Sequence, residues 1–298
     1  MSNIPDFLIK KLNNQYGVET TEKILEGYNK KRYTTFRVNT LKISLEEFKE
    51  KIKQLNIDVE PFNSITGAFI LKSDIELLKN TEFYKNGYIY LQSLSSMLPV
   101  ILLEPKDEHI LDMAAAPGSK TTQIAMITSN KARITACEKN NIRAERLKFN
   151  LQKQGVTCCY VMVTDATKLD DLFSFDKILL DAPCSGSGTI YINNPKLKEV
   201  FKEKLITSNV EVQTKLLRKA LNILKPDKEM IYSTCSILKE ENEGVLNKVL
   251  KEANATIVPL KLNIDNVEYL NTTIEGTICI CPNEYYEGFF IAKIKKCK

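Results

Sequence analysis

The chain has 298 residues, 43% hydrophobic and 27% charged, which suits one large or two ordinary globular domains and excludes a disordered chain. Its net charge of +5 permits a polyanionic partner without demanding one. A single histidine, His109, excludes two-Cys, two-His zinc sites and H-E-x-x-H proteases, and any Ser-His-Asp triad must run through it.

The amino terminus carries Asp6, Lys10 and Lys11 around a short apolar stretch and does not read as a signal peptide. From Asn29 to Arg37 the chain reads NKKRYTTFR, where Lys30, Lys31, Arg32 and Arg37 meet no acid and interleave with Tyr33 and Phe36. Such a run suits phosphates with stacking bases, and equally a solvated turn. FRVNT (Phe36 to Thr40), AFILK (Ala68 to Lys72) and YIYL (Tyr88 to Leu91) read as strands. Ser44 to Asn56 predicts a helix with Leu45, Phe48, Ile52 and Leu55 on one face and a capping box of Ser44 and Glu47. Ser73 and Glu76 repeat that signature. The longest apolar run, Met97 to Leu103, contains Pro99, so no helix is expected to cross a bilayer. Together these elements predict a smaller α+β unit over residues 1–105.

From residue 106 to 298 the pattern is regular. HILDM, RITACE, CYVMV, KILLDA and EMIYST read as apolar strands. Helical segments alternate with them at Lys120 to Thr128, Asn141 to Gln154, Asn209 to Leu224 and Glu240 to Ala253. Continuous apolar strands separated by helices predict an α/β unit, a mostly parallel sheet covered on both faces. Ligands of such sheets bind beyond the carboxyl ends of the strands.

Those strand ends carry acids and small residues. Asp112 is followed by Ala114, Ala115, Ala116, Pro117, Gly118, Ser119 and Lys120, a tight turn that opens a helix and lets a ligand approach its N–H groups. It is not G-x-G-x-x-G, which weakens a dehydrogenase reading. Glu138, Asp165 and Asp181 follow the next strands, and the set predicts a nucleoside-bearing cofactor. Between Pro195 and Lys228, nine Lys and Arg face four acids, a second basic stretch. None of the eight cysteines forms a C-x-x-C, so neither a metal knuckle nor a disulfide framework is expected. Two of them stand at the ligand edge: Cys184 in DAPCSGSGT and Cys235 in YSTCS. A thiol in such a position can act as a nucleophile.

DMAAAPGSKT, DAPCSGSGT and YSTCS, in this order, resemble the motifs of the Sun/NOP family of RNA cytosine-5 methyltransferases. FRVNT and YLQSLSSMLP resemble its amino-terminal signatures and EGFFIAKIKK its closing strand, so the likeness covers the chain from about residue 30. The resemblance implies a Rossmann-like class I methyltransferase fold with a smaller α+β amino-terminal domain for RNA. It implies S-adenosylmethionine held by Ala114 to Lys120, Glu138, Arg143, Asp165 and Asp181, with Cys235 as nucleophile and Cys184 helping to free the product. Lys120 and Asp181 complete the implied catalytic set, Asp181 as the protonated partner of ring nitrogen 3. The expected substrate is ribosomal or transfer RNA, the expected location the cytoplasm and the expected state a monomer without metal. A catalytically idle RNA-binding or ribosome-assembly factor is the alternative, opposed by the two cysteines. Two departures bear on turn geometry: Ser119 stands where the family has a second glycine, and Pro226-Asp227-Lys228 replaces P-G-G.

Overall fold

Two helices that the sequence pattern does not reveal open the chain, α1 (Asp6–Tyr16) and α2 (Val18–Asn29), with Gly17 at φ 79° between them. The computed structural model describes residues 3–298; residues 1 and 2, the start of the expected 1–105 unit, lie outside the described residues. A small sheet follows: β1 (Thr34–Val38), helix α3 (Leu45–Lys53), β2 (Val59–Pro61), β3 (Ala68–Leu71), short helices α4 (Ile75–Lys79) and α5 (Glu82–Lys85), and β4 (Ile89–Leu91). Its strands run antiparallel in the order β2-β3-β1-β4. Phe36, Phe48, Phe69 and Phe83 fill its core in stacked and edge-to-face pairs. Ser44 caps α3 as expected, accepting the Glu47 N–H. The second expected cap is displaced by one residue: Asp74 caps α4, and the Ser73 hydroxyl instead accepts the N–H of Asp58.

Helix α6 (Leu94–Leu103) then leads into β5 (His109–Asp112), α7 (Ser119–Ile127), β6 (Arg133–Glu138), α8 (Asn141–Gln154), β7 (Cys159–Val163) and β8 (Phe175–Asp181). After them come α9 (Leu197–Val200), α10 (Glu203–Ile223), β9 (Leu224–Thr234), α11 (Glu243–Leu250) and four strands. These are β10 (Ala255–Val258), β11 (Tyr269–Leu270), β12 (Ile278–Ile280) and β13 (Phe289–Lys296). The large sheet has the order β11-β12-β13-β9-β8-β5-β6-β7, with β10 paired to β13. From β9 to β7 every pairing is parallel, and β13 joins β9 antiparallel. Parallel strands share one carboxyl edge, so the residues after β5, β6, β7, β8 and β9 meet there. This is the predicted α/β sheet with its smaller α+β companion.

Packing joins the two. Leu8, Leu12, Ile24 and Tyr28 from α1 and α2 are buried in one cluster with Leu217, Tyr232 and Phe290 of the large sheet and its helices. Leu94, Leu98 and Leu103 of α6 are buried against the other face. Asp227, in the P-G-G position, takes φ 60°, the left-handed region that Asp tolerates better than most residues.

Candidate active site

The turn after β5 is set by one glycine. Gly118 holds φ 106°, and a Cβ there would meet Leu147 at 2.9 Å. Ser119 is the first residue of α7 and lies outside the positive-φ set, so the missing second glycine leaves no strain. Arg143 donates to the Ala116 carbonyl and Asn150 to that of Pro117, each at 2.8 Å, tying the turn to α8. Ala115 points into a buried cluster with Ala136 and Leu147. Asp112 is buried too: it accepts the Thr121 hydroxyl at 2.7 Å, and burial pushes its pKa up to about 6.

A cavity of about 460 Å³ opens at the carboxyl edge, within the ordinary range for a small-molecule site. Ala114, Ala116, Glu138, Arg143, Asp165, Asp181, Cys184 and Cys235 line it. Glu138 is buried; its Oε1 accepts the Asn140 N–H at 2.9 Å and its Oε2 lies 3.4 Å from Arg143. A carboxylate offers about four acceptor positions, so lone pairs remain for ribose hydroxyls. Asp165 is fixed by the N–H (3.0 Å) and hydroxyl (2.8 Å) of Thr167. Burial opposes its ionisation, yet those donors and the nearby Lys139 and Lys168 hold it below the usual carboxylate range. Two held carboxylates on successive strand ends, beside a small-residue turn, fit a cofactor with an adenosine part. Glu138→Ala is expected to weaken S-adenosylmethionine binding by about 1–3 kcal/mol in calorimetry, and an unchanged affinity would remove Glu138 from the site.

The two cysteines meet at the same edge, with sulfurs 3.1 Å apart. The hydrogen bond to Cys235, together with burial, pushes the Cys184 thiol well above the ordinary range. Asp181, at the end of β8, accepts from the Ser233 hydroxyl at 2.8 Å and pairs with Lys120 Nζ at 2.7 Å. Lys120 also donates to Ser96 at 2.8 Å. Burial alone would lower the Lys120 pKa, but the facing carboxylates of Asp181 and Asp112 outweigh it and hold the ammonium above the usual lysine range. The loop after Cys184 is clamped by Tyr28, whose hydroxyl donates to the Ser187 carbonyl at 2.6 Å, and by Gly188, where a Cβ would strike the Gly288 carbonyl.

The expected phosphate patch needs correction. Arg37 is 2% exposed; its guanidinium donates to Gln92, Thr122 and the Ser119 carbonyl and lies over Tyr90. Burial lowers its pKa to about 10. Arg32 is half-buried and donates to the carbonyls of Gly188, Thr189 and Ile190. The Arg37 guanidinium is thus buried and spent on the protein's own groups, and the terminal nitrogens of Arg32 are held by three carbonyls while its Nε has no partner. Lys30 pairs with Glu284 at 3.1 Å, and Lys31 is exposed. Sequence reasoning also missed cavity residues. Lys139 and Lys168 follow the strand-end acids and were within reach of the pattern; Lys215 belongs to the basic stretch from Pro195 to Lys228, whereas its α10 neighbours Val212 and Leu216 carry no motif.

Residues 100–295 match the family described as 16S rRNA methyltransferase RsmB/F, and residues 4–77 match the ferredoxin-like domain of RsmF/B-like proteins. The chain is 37% identical over 274 residues to ribosomal RNA small subunit methyltransferase F of Aliivibrio salmonicida, covering 88% of this chain and 57% of that protein. It is 34% identical over 307 residues to the 28S rRNA (cytosine-C(5))-methyltransferase of Mus musculus, covering 98% of this chain and 38% of that one. The chain thus spans little more than half of the bacterial relative and well under half of the mouse one. Among solved structures, NSun6 from Pyrococcus horikoshii with SFG, an analogue of S-adenosylmethionine, superimposes with a TM-score of 0.89 at 25% identity. That likeness covers 100% of this chain and 99% of the archaeal one.

Proposed function

Because the chain belongs to the 16S rRNA methyltransferase RsmB/F family, we propose that it transfers a methyl group from S-adenosylmethionine to carbon 5 of a cytosine in small-subunit ribosomal RNA. The observation that carries this reading is the pair of thiols, 3.1 Å apart, on the wall of a cavity that also holds the strand-end acids.

Carbon 5 of cytosine is a weak nucleophile, so the chemistry needs prior addition at carbon 6. Cys235, as thiolate, forms a bond to carbon 6, and the ring electrons shift toward carbon 5 and nitrogen 3. A proton moves from the Lys120 ammonium, 2.7 Å from Asp181, through the Asp181 carboxyl to nitrogen 3, leaving Lys120 as the neutral amine. S-adenosylmethionine, when bound, supplies the methyl as an electrophilic substituent of a sulfonium, which the enamine-like carbon 5 accepts. Water entering the open cavity takes the carbon 5 proton; the C–H electrons re-form the double bond between carbons 5 and 6, and the bond between carbon 6 and sulfur breaks with its electrons leaving on Cys235 as thiolate. The nitrogen 3 proton returns to the Asp181–Lys120 pair. Cys184, whose thiol stays protonated, donates a hydrogen bond to the departing sulfur and so favours release.

A paired target base must leave its stack, at a cost of a few kcal/mol that the binding surface has to offset. Lys139, Lys168 and Lys215, exposed at the cavity wall, take the place of Arg32 and Arg37 as phosphate partners, with Lys31 and the basic stretch from Pro195 to Lys228 beyond them. The same proposal includes a cytoplasmic location and a monomeric state. The test is mass spectrometry of nucleosides from 16S ribosomal RNA transcribed in vitro and treated with protein and cofactor, beside total transfer RNA. The expected product is 5-methylcytidine in the ribosomal transcript. Methylation confined to transfer RNA would change the substrate, and no methylation would favour the idle RNA-binding factor.

A further inference from the structure

Glu241, in the turn between β9 and α11, is fully buried. A buried carboxylate is costly unless donors surround it, and this one has four. Its Oε1 accepts the backbone N–H of Ser185 at 2.7 Å and faces Gln213 Nε2 at 3.5 Å. Its Oε2 accepts the hydroxyls of Ser185 at 2.5 Å and Ser236 at 2.6 Å. Ser185 follows Cys184 and Ser236 follows Cys235, so one carboxylate ties together the residues next to both thiols.

The two thiols depend on this tie unequally. Cys235 directly follows β9, whose residues Ser233 and Thr234 are paired in the sheet, and its carbonyl accepts the Gly188 N–H at 3.0 Å. The Cys184 segment leaves the sheet after Asp181. Before the cysteine it is held by the Ala182 N–H on the Ser233 carbonyl and by Gln213 on the Pro183 carbonyl, both at 2.8 Å. After it the next ties outside Glu241 begin at Ser187, which meets the Tyr28 and Ser236 hydroxyls, so the bonds of Glu241 to Ser185 are the ones adjacent to the Cys184 thiol on that side. We propose that Glu241 is a positioning residue that holds the Cys184 loop against the Cys235 strand, and so governs release of methylated RNA rather than attack on it. The proposal rests on the assignment of Cys235 as nucleophile and Cys184 as release residue made above.

The experiment compares Glu241→Ala, Glu241→Gln, Cys184→Ala and Cys235→Ala on a 16S ribosomal RNA transcript with S-adenosylmethionine. It reads the covalent band on a denaturing gel, methyl transfer in a single turnover, and steady-state rate. Glu241→Ala is expected to keep single-turnover transfer within about threefold while steady-state rate falls about tenfold or more and the covalent band accumulates, as in Cys184→Ala. The double variant Glu241→Ala/Cys184→Ala should be no slower than Cys184→Ala, since both act on one step. Glu241→Gln, whose amide oxygen can still accept the Ser185 N–H, should recover most of the rate. A melting curve accompanies each variant; where Glu241→Ala fails to fold, a weaker accumulation of the band in Glu241→Gln is the expected result. Absence of the band with a normal melt, as in Cys235→Ala, or release at the unmodified rate, overturns the role of Glu241. Activity retained by Cys235→Ala overturns the thiol chemistry itself, and the proposal with it.

Discussion

Cys235→Ala is expected to lose activity by on the order of 10³-fold or more and to form no covalent RNA adduct, because nothing remains to add to carbon 6. Cys184→Ala is expected to attack and methylate but to release slowly, leaving RNA-linked protein as a shifted band on a denaturing gel. Distance alone does not choose between the thiols, since 3.1 Å separates them and both line the cavity. DNA cytosine-5 methyltransferases use the P-C cysteine, which makes Cys184 a physically reasonable rival. We assign the attack to Cys235 because it matches the T-C cysteine of the RNA family that the sequence resembles, with Cys184 as the neighbour 3.1 Å away. An adduct formed by Cys235→Ala and absent from Cys184→Ala would reverse the roles.

The second large effect concerns Arg37. Its guanidinium reaches from β1 of the small sheet to the first turn of α7, where it bonds the Ser119 carbonyl at 3.2 Å and the Thr122 hydroxyl at 2.6 Å. Arg37→Ala removes those bonds, the 2.9 Å bond to Gln92 and the packing under Tyr90, and leaves buried acceptors without donors. The expected loss is about 2–4 kcal/mol in urea unfolding, seen as a lower midpoint at unchanged slope. At temperatures where the variant stays folded, the salt dependence of RNA binding should keep its slope. A true phosphate contact would flatten that slope by about 0.7–0.9. A stable variant with a flattened slope would return Arg37 to the RNA surface.

The sequence is most informative where burial is simplest. Strands β5, β6 and β8 are mostly buried, so each appears as a nearly continuous apolar run; the edge strand β7 matches CYVMV residue for residue although Tyr160 and Val163 stay exposed. Helix α8 is bounded as expected because Asn140 caps one end and Gly155, at φ 73°, closes the other. Helix α10 begins at Glu203, ahead of the expected Asn209, and Ser208 lies inside it with its hydroxyl bonded back to the Leu205 carbonyl. Helices α1 and α2 escape notice because no side chain caps either start. The strand-end acids are legible one by one, but the partner of each is not. Nothing local tells that Arg37 lies under a helix eighty residues on, that Asp181 faces Lys120, or that Glu241 reaches Ser185. The cation run from Lys30 to Arg37 misleads for the same reason: charge along the chain does not report burial in the fold.

The most direct measurement of the central claim uses a 16S ribosomal RNA transcript in which cytidine is replaced by 5-fluorocytidine. Fluorine at carbon 5 cannot leave as a proton, so the bond between carbon 6 and the enzyme sulfur persists after methyl transfer. Digestion and mass spectrometry of the trapped complex then identify the linked residue. The structure predicts a methylated fluorocytidine nucleotide on the peptide carrying Cys235, formed only with S-adenosylmethionine present, and an unmodified Cys184. A nucleotide on Cys184, or methylated RNA with neither cysteine linked, would contradict it.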